Sequence, residues 1–409
     1  MPTLSLSKDK IRIVLLEGVH SVAVATLQAA GYTSIESLPS SLSGEQLKKK
    51  IQGVHILGIR SRTQLTAEIF EAAEQLMAVG CFCIGTSQVD LATATQRGVA
   101  VFNAPYSNTR SVAELVLAEA IMLARRIPRK NSAAHHGVWL KSVDNAFEIR
   151  GKVLGIVGYG NIGSQLSVIA EALGMKVCFY DKEDKLPLGN AVAVDSLAEL
   201  LGQADIVSLH VPDSADTHSM IGSRELAWMK KGGLIINAAR GRVIDIDALV
   251  QALHSGHVAG AAIDVFPQEP ESVGQTFCSP LMGIDNVLLT PHIGGSTLEA
   301  QYHIGKDVAD RLIRYSDNGS TLMSVNLPSL ALPTHAGRHR ILHIHHNVPG
   351  MLSRINRIYS QVKINVTGQY LQTRGETGYV VTDIEDQHDP QIVKQLQHIE
   401  GTVHCRILY

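Results

Sequence analysis

The stretch KVLGIVGYGNIGSQLSVIAEALGMKVCFYD, residues 152–181, constrains this 409-residue chain more than any other. An apolar β-run, KVLGIV, feeds a G-x-G-x-x-G turn. A helical run follows to about Leu173, and a second β-run, KVCFY, ends on Asp181. Alone, the glycine pattern is weak; between a strand and a helix it specifies a dinucleotide-binding βαβ unit. Gly158 permits the tight turn, Gly160 lets the backbone approach a pyrophosphate, and Gly163 lets helix and strand pack closely. The helix amino terminus offers unpaired N–H groups and partial positive charge to the phosphates. Asp181 can accept both ribose hydroxyls and repel a 2′-phosphate. That favours NAD over NADP, while Lys182 and Lys185 nearby pull the other way.

The surrounding sequence extends this unit into a sheet. Six β-runs, KVLGIV, KVCFY, DIVSLHV, GLIINA, AGAAID and NVLLT, alternate with helical runs, the pattern of a doubly wound parallel sheet. Upstream, IRIVLLE, VHILGIR, MAVGCFCIG and VAVFNAP alternate with helices near 22–30 and 67–76, before a long helix near 111–126. The last seventy residues read βαββαβ, the ferredoxin-like plan, behind a Pro-containing connector, VNLPSLALPTHAG. The expected fold class is α/β: two Rossmann-like doubly wound parallel-sheet domains and a C-terminal ferredoxin-like domain.

Composition excludes several alternatives. With 45% apolar and 18% charged residues the chain can bury substantial cores, and a net charge of −2 leaves no basic footprint for nucleic acid. The most apolar helical run, AELVLAEAIMLARR, carries Glu114, Glu119, Arg125 and Arg126, which argues against a membrane span. No export signal is visible at the amino end, so a cytoplasmic location is expected. The five cysteines form no C-x-x-C pair and read as buried free thiols.

In an open parallel sheet the ligand sits outside the carboxyl ends of the strands. Reading those ends gives Val211-Pro212, Ala238-Ala239-Arg240, Asp264 and Pro291-His292, with Glu269 five residues beyond Asp264. Arg240, Glu269 and His292 form a trio suited to oxidising a 2-hydroxy acid. As hydride leaves carbon 2 for a nicotinamide, imidazole can take the hydroxyl proton, a role worth about 10²–10⁴ in rate. Glu269 would orient the ring and raise its pKa, and the planar fork of Arg240 matches the substrate carboxylate. The competing reading is a structural Arg240–Glu269 ion pair. In GIRSRT, Arg60, Ser61 and Arg62 follow a strand; two arginines flanking a serine suit a phosphate dianion, and equally suit a solvated loop.

The stretches LGIVGYGNIG, LIINAARG, AAIDVFPQEP and LLTPHIGGST, with RSRT and FNAPYSNTRSVAE upstream, resemble the D-isomer-specific 2-hydroxyacid dehydrogenase family. The resemblance gives Arg240, Glu269 and His292 the catalytic roles derived above. It also sets Asn161, Ile162, Asp181, Ala238, Ala239, Arg240, Asp264, His292, Ile293, Gly294 and Gly295 against NAD. It implies a split first domain, with residues 1–107 and 296–337 flanking a nucleotide-binding domain at 108–295, hinges near 107 and 295, and closure on substrate. Similarity to the branch acting on 3-phosphoglycerate, including Asn108 of SNTR, favours Arg60, Ser61 and Arg62 as phosphate ligands. The reaction so implied forms 3-phosphohydroxypyruvate, the entry to L-serine synthesis. The same site is compatible with reducing 2-oxoglutarate to 2-hydroxyglutarate. The rivals are a dehydrogenase for another 2-hydroxy acid and an NAD-sensing binding protein of the same fold.

The segment HIHHNVPG, residues 343–350, has three histidines that suggest a metal. On a strand, however, His343 and His345 share one face and His346 takes the other, which leaves too few ligands and implies no metal. Asn347 and Pro349 suit a helix start instead. Residues 338–409 resemble an ACT domain, which implies paired tails binding L-serine as an allosteric effector through His345, Asn347 and Asn365, in a homotetramer. Two departures from the family pattern bear on that site: HNVPG at 346–350 in place of the usual motif, and Lys363 where a turn glycine is customary.

Overall fold

The computed structural model describes residues 6–270, 274–333, 339–385 and 391–408. The end of the connector, 334–338, and with it the expected boundary at 337/338, lies outside the described residues. The chain forms two compact units, Met1–Ser107 with Gln301–Tyr409, and Asn108–Ala300.

The first unit begins with five short parallel strands: β1 (Ile13–Leu15), β2 (Ile35–Ser37), β3 (Ile56–Ile59), β4 (Ala78–Cys81) and β5 (Ala100–Phe102), in the order β2-β1-β3-β4-β5. Alternate residues face opposite layers. Ile13, Leu15, Ile56 and Phe102 join one core, while Val14, Leu16, Leu57 and Ile59 join the other. Burial on both faces explains the near-continuous apolar runs. Strand β2 and the helices Gly44–Ile51 and Leu91–Gln96 go beyond the sequence reading. They are short, and EQLKKKI offers only Leu47 and Ile51 to the core. The long helix Leu298–Asn318 returns the chain to this unit, where a Cβ at Gly80 would lie 2.7 Å from Val308 and 2.8 Å from Leu312. Glycine at 80 thus lets that helix lie directly on β4.

The second unit contains seven parallel strands: β6 (Val153–Val157), β7 (Lys176–Tyr180), β8 (Val192–Ala193), β9 (Ile206–Leu209), β10 (Gly233–Asn237), β11 (Val258–Ile263) and β12 (Val287–Leu289). Their order is β12-β11-β10-β9-β6-β7-β8, so the winding reverses between β6 and β9, the position that creates a ligand crevice. The six expected strands are present; two-residue β8 is an added edge. The long helix runs Thr109–Ala124, two residues earlier than its expected span.

The tail forms an antiparallel sheet from β13 (His339–His346), β14 (Val366–Arg374), β15 (Thr377–Ile384) and β16 (Thr402–Leu408), ordered β14-β15-β13-β16. Helices Met351–Gln361 and Gln391–Gln397 cover the face bearing Ile341, Val380 and Ile407. The other face, with Leu342, Ile344, Tyr379 and Val381, joins the core of the first sheet. Polar contacts fasten that side: Tyr379 Oη donates to Gly319 O (2.6 Å), and Arg340 makes two bonds to Asp383 while donating to Asn318 O. Asn347 does not cap the tail's first helix. Gly350 occupies that place at φ +83°, and Asn347 Nδ2 donates to Gly375 O instead (3.1 Å). Pro349 precedes the cap rather than forming the first turn. All five cysteines are free, but only Cys81, Cys178 and Cys405 are buried; Cys83 is half-buried and Cys278 exposed.

Candidate active site

In the second unit the strand order spreads the glycine loop and the charged trio along one sheet edge. Gly158 follows β6 and Asp181 follows β7, whereas Arg240, Asp264 and His292 follow or lie just beyond β10, β11 and β12. From β6 to β11 is three strand spacings, roughly 14 Å, a span suited to an extended dinucleotide.

His292 adopts φ +54°, a left-handed conformation that side chains with a Cβ rarely take. The loop around it is held from below by Asp264, which is 1% exposed. Asp264 Oδ1 accepts from Thr290 Oγ1 (2.6 Å) and Ile293 N (2.8 Å), and Oδ2 accepts from Gly294 N (2.8 Å). These three bonds oppose the strain, a combination common where a side chain must be aimed. His292 Nδ1 donates to Glu269 Oε2 (2.8 Å), which leaves Nε2 on the exposed side of the ring.

Glu269 is fixed in turn, its Oε1 accepting from Phe266 N (3.1 Å). Burial pushes this carboxyl up, but the bond and charge of His292, the Phe266 N–H and the Arg240 charge together hold it below the usual carboxylate range. For His292 the hydrogen bond to Glu269 dominates and raises the pKa above that of free imidazole. Burial and Arg240 oppose the rise, and the Glu269 and Asp264 charges reinforce it. The ring therefore holds its proton to higher pH than a free imidazole does. Arg240 donates to Ala239 O (2.6 Å), and its backbone is set by Asn237, whose side chain accepts from Ala239 N and donates to Arg240 O (both 3.0 Å). A Cβ at Gly241 would overlap the Phe266 carbonyl, so glycine lets the Arg240 loop approach the segment leading to Glu269.

The glycine loop fits a dinucleotide on its own geometry. Gly158 takes φ +91°, and a Cβ there would lie 2.6 Å from His210 O; one at Gly163 would collide with Gly158 O. Gly160 caps the helix Asn161–Ala172 without a side-chain hydrogen bond, and a Cβ there would meet nothing within 4 Å. The open backbone beside the free first-turn N–H groups of Asn161, Ile162 and Gly163 is the cradle a pyrophosphate needs. Asp181 is oriented by Tyr159 N (2.8 Å) and Glu183 N (3.0 Å), each on a different oxygen, and both oxygens keep a lone pair for ribose. Lys185 pairs with Glu183, which neutralises one of the two cations that could favour a 2′-phosphate.

The remaining sequence-derived residues are dispersed. Arg60, Ser61 and Arg62 lie in the first unit past β3, with Ser61 and Arg62 exposed. Asn108 is in the second unit, largely buried, where its amide would meet a Cβ at Gly295. In the tail His345 is buried, its Nδ1 within 2.8 Å of His346 O, whereas Asn347 and Asn365 are exposed and Asn365 Nδ2 donates to Glu385 (2.9 Å). Lys363 takes φ +56°, so a side chain does stand in the turn where glycine is usual. The sequence reading missed Asn237 and Thr290. Their signal was a polar residue closing an apolar strand (GLIIN, NVLLT), which marks a loop anchor as readily as a ligand.

A nicotinamide-dinucleotide cradle sharing one sheet edge with a histidine–glutamate pair and an arginine defines a dehydrogenase of hydroxy acids. Residues 117–294 match the profile of the D-isomer specific 2-hydroxyacid dehydrogenase, NAD binding domain, and residues 341–404 that of the AHAS small subunit-like ACT domain. The chain belongs to the D-isomer specific 2-hydroxyacid dehydrogenase family, with NAD as cofactor. It is 57% identical over 405 residues to D-3-phosphoglycerate dehydrogenase of Haemophilus influenzae, covering 99% of each chain. To D-3-phosphoglycerate dehydrogenase of Escherichia coli K12 it is 56% identical over 411 residues, covering all of both chains. Among solved structures, D-lactate dehydrogenase of Aquifex aeolicus complexed with NAD and lactic acid superposes with a TM-score of 0.67 at 26% identity, over 78% of this chain and all of that one.

Proposed function

We propose that this chain oxidises 3-phospho-D-glycerate to 3-phosphohydroxypyruvate, the entry step to L-serine. The observation that carries the reading is the 2.8 Å bond from His292 to Glu269, on a loop tied down by Asp264. NAD, when bound, accepts the hydride from substrate carbon 2. Nε2 of His292 takes the hydroxyl proton and passes it to solvent, and Glu269 stabilises the imidazolium meanwhile. Arg240 pairs with the substrate carboxylate and polarises the neighbouring oxygen. Gly158, Gly160, Asn161, Ile162, Gly163, Asp181, Ala238 to Arg240, Asp264 and His292 to Gly295 line the cofactor, and Asp264 also ties down the His292 loop.

Arg60, Ser61 and Arg62 take the phosphate, with Asn108 as a further substrate contact; similarity over the full length to D-3-phosphoglycerate dehydrogenases supports this choice over a lactate-like substrate. Residues 1–107 and 296–337 serve substrate and 108–295 serves NAD. The ACT-like tail, 338–409, senses L-serine through His345, Asn347 and Asn365 in a cytoplasmic homotetramer. The ACT match supports an amino-acid effector, the open edge strands β14 and β16 support pairing of tails, and among the described residues no helix is long and apolar enough to cross a membrane.

The test compares Arg60→Ala with the unaltered chain on 3-phosphoglycerate and on D-glycerate. Loss of one charge-assisted phosphate contact is expected to lower kcat/KM for the phosphorylated substrate by about tenfold or more, with a much smaller change on D-glycerate. Equal losses on both would defeat the phosphate assignment.

A further inference from the structure

Glu17 has no part in the chemistry described so far, yet its placement is costly. It follows β1 at φ +64°, a strained conformation for a residue with a Cβ, and its side chain is 1% exposed. A carboxylate taken out of water this completely is tolerated only where several donors meet it. Here they all come from one short loop. Oε1 accepts from Arg60 N (3.1 Å) and Thr63 N (2.9 Å), and Oε2 accepts from Arg62 N (3.0 Å) with Arg62 Nε at 3.6 Å. From the opposite side buried Gln88 donates to Arg60 O (2.6 Å). Three of the four successive N–H groups from Arg60 to Thr63 are thus drawn inward onto one side chain. Ser61, between Arg60 and Arg62 in the chain, is exposed.

A loop that only joined β3 to the next helix would not need this. A glutamine at 17 could cover one or two of those N–H groups with its single oxygen, and its NH₂ would face the third. Only a carboxylate offers acceptors on both sides of the fork. Glu17 also sets its carboxylate 3.6 Å from Arg62 Nε, beneath the loop that carries both arginines.

We propose that Glu17 is a positioning residue for the phosphate subsite. It shapes the backbone of Arg60–Thr63 so that Arg60, Arg62 and the Ser61 N–H present themselves together to a phosphate dianion, with Gln88 as the second clamp. The proposal rests on the reading of Arg60, Ser61 and Arg62 as the phosphate ligands, and preorganisation of this kind is lost by displacements of about 1 Å.

The test uses the full chain carrying Glu17→Gln, with initial rates on 3-phosphoglycerate and on D-glycerate and NADH binding measured alongside. KM for 3-phosphoglycerate is expected to rise about tenfold, with kcat within a few-fold of the unaltered chain and with D-glycerate kinetics and NADH binding little changed. A folded Glu17→Gln chain that keeps the original preference for the phosphorylated substrate overturns the proposal. So do equal losses on both substrates, which a merely structural anchor would give. Should Glu17→Gln fail to fold, Gln88→Met removes the other clamp, and the same ratio of the two substrates decides. Arg60→Ala separates this proposal from the reading beneath it. If Arg60→Ala does not discriminate between the substrates, the phosphate subsite itself is wrong; if it does and the Glu17 and Gln88 variants do not, only the positioning role falls.

Discussion

At the level of single residues, the proposed chemistry turns on which proton sits where. Glu269 raises the pKa of His292 through its hydrogen bond, so the imidazole stays protonated to higher pH than a free one. With His292 as the proposed base, oxidation would need the neutral ring and reduction the charged ring, so oxidation should climb as pH passes the raised His292 value while reduction falls. Glu269→Gln keeps the shape and removes the charge. The rising limb of kcat/KM for oxidation should then move to lower pH, with a lower plateau; a limb that stays put would separate Glu269 from the histidine's titration. The sequence named His292 from its place at a strand end and Glu269 from its place five residues beyond Asp264. It could not show that Asp264 is occupied by three donors of the His292 loop, because a carboxylate at a strand end looks the same whether it faces ligand or backbone. Lys363 is a second residue-scale case. It follows the helix Met351–Gln361 at φ +56°, with Ile364 N bonded to Tyr359 O, a helix end that glycine fits best. Lys363→Gly should stabilise the tail by about 1 kcal/mol, relief of left-handed strain outweighing the added freedom of the unfolded chain. Urea unfolding followed by a probe in the tail would read this as a later midpoint, and an earlier one would contradict it.

Among the elements, the helix Thr109–Ala124 carries an untapped titration. Glu119 is 2% exposed, and neither of its carboxyl oxygens has a hydrogen-bond partner among the described residues. Burial, then the charge of Asp264, push its pKa from 4.5 up to about 8. The folded state therefore holds this proton more tightly than the unfolded one. Between those two values stability falls as pH rises, and above about 8 the full penalty, on the order of a few kcal/mol, remains. Glu119→Gln cannot ionise, so its stability relative to the unaltered chain should improve steadily from about pH 5 to pH 8, as urea midpoints at the two ends would record. A constant difference across that range would mean Glu119 does not titrate there. The sequence showed this glutamate only as a charge arguing against a membrane helix; its burial depends on which helix face meets the sheet. The six expected strands of the second unit were legible because each lies in a compact apolar run between turn signals. Strands β2 and β8 and the lysine-rich helix Gly44–Ile51 were not: the strands have only three and two residues, and the helix buries only Leu47 and Ile51.

For the whole molecule, the sequence placed the glycine loop, the trio and the βαββαβ tail along the chain, but not the burial of both faces of the tail sheet. Leu342, Ile344 and Tyr379 looked like ordinary strand residues, and only the fold shows them sharing a core with Phe102 and Leu312 of the first unit. The tail is thus joined to the first sheet through a common core rather than tethered by its connector alone. The direct test of the central claim is turnover of 3-phosphoglycerate with NAD by the full chain carrying His292→Gln, with NADH binding followed by fluorescence. The account predicts kcat reduced by about 10²–10⁴ with NADH binding retained; kcat equal to that of the unaltered chain would contradict it.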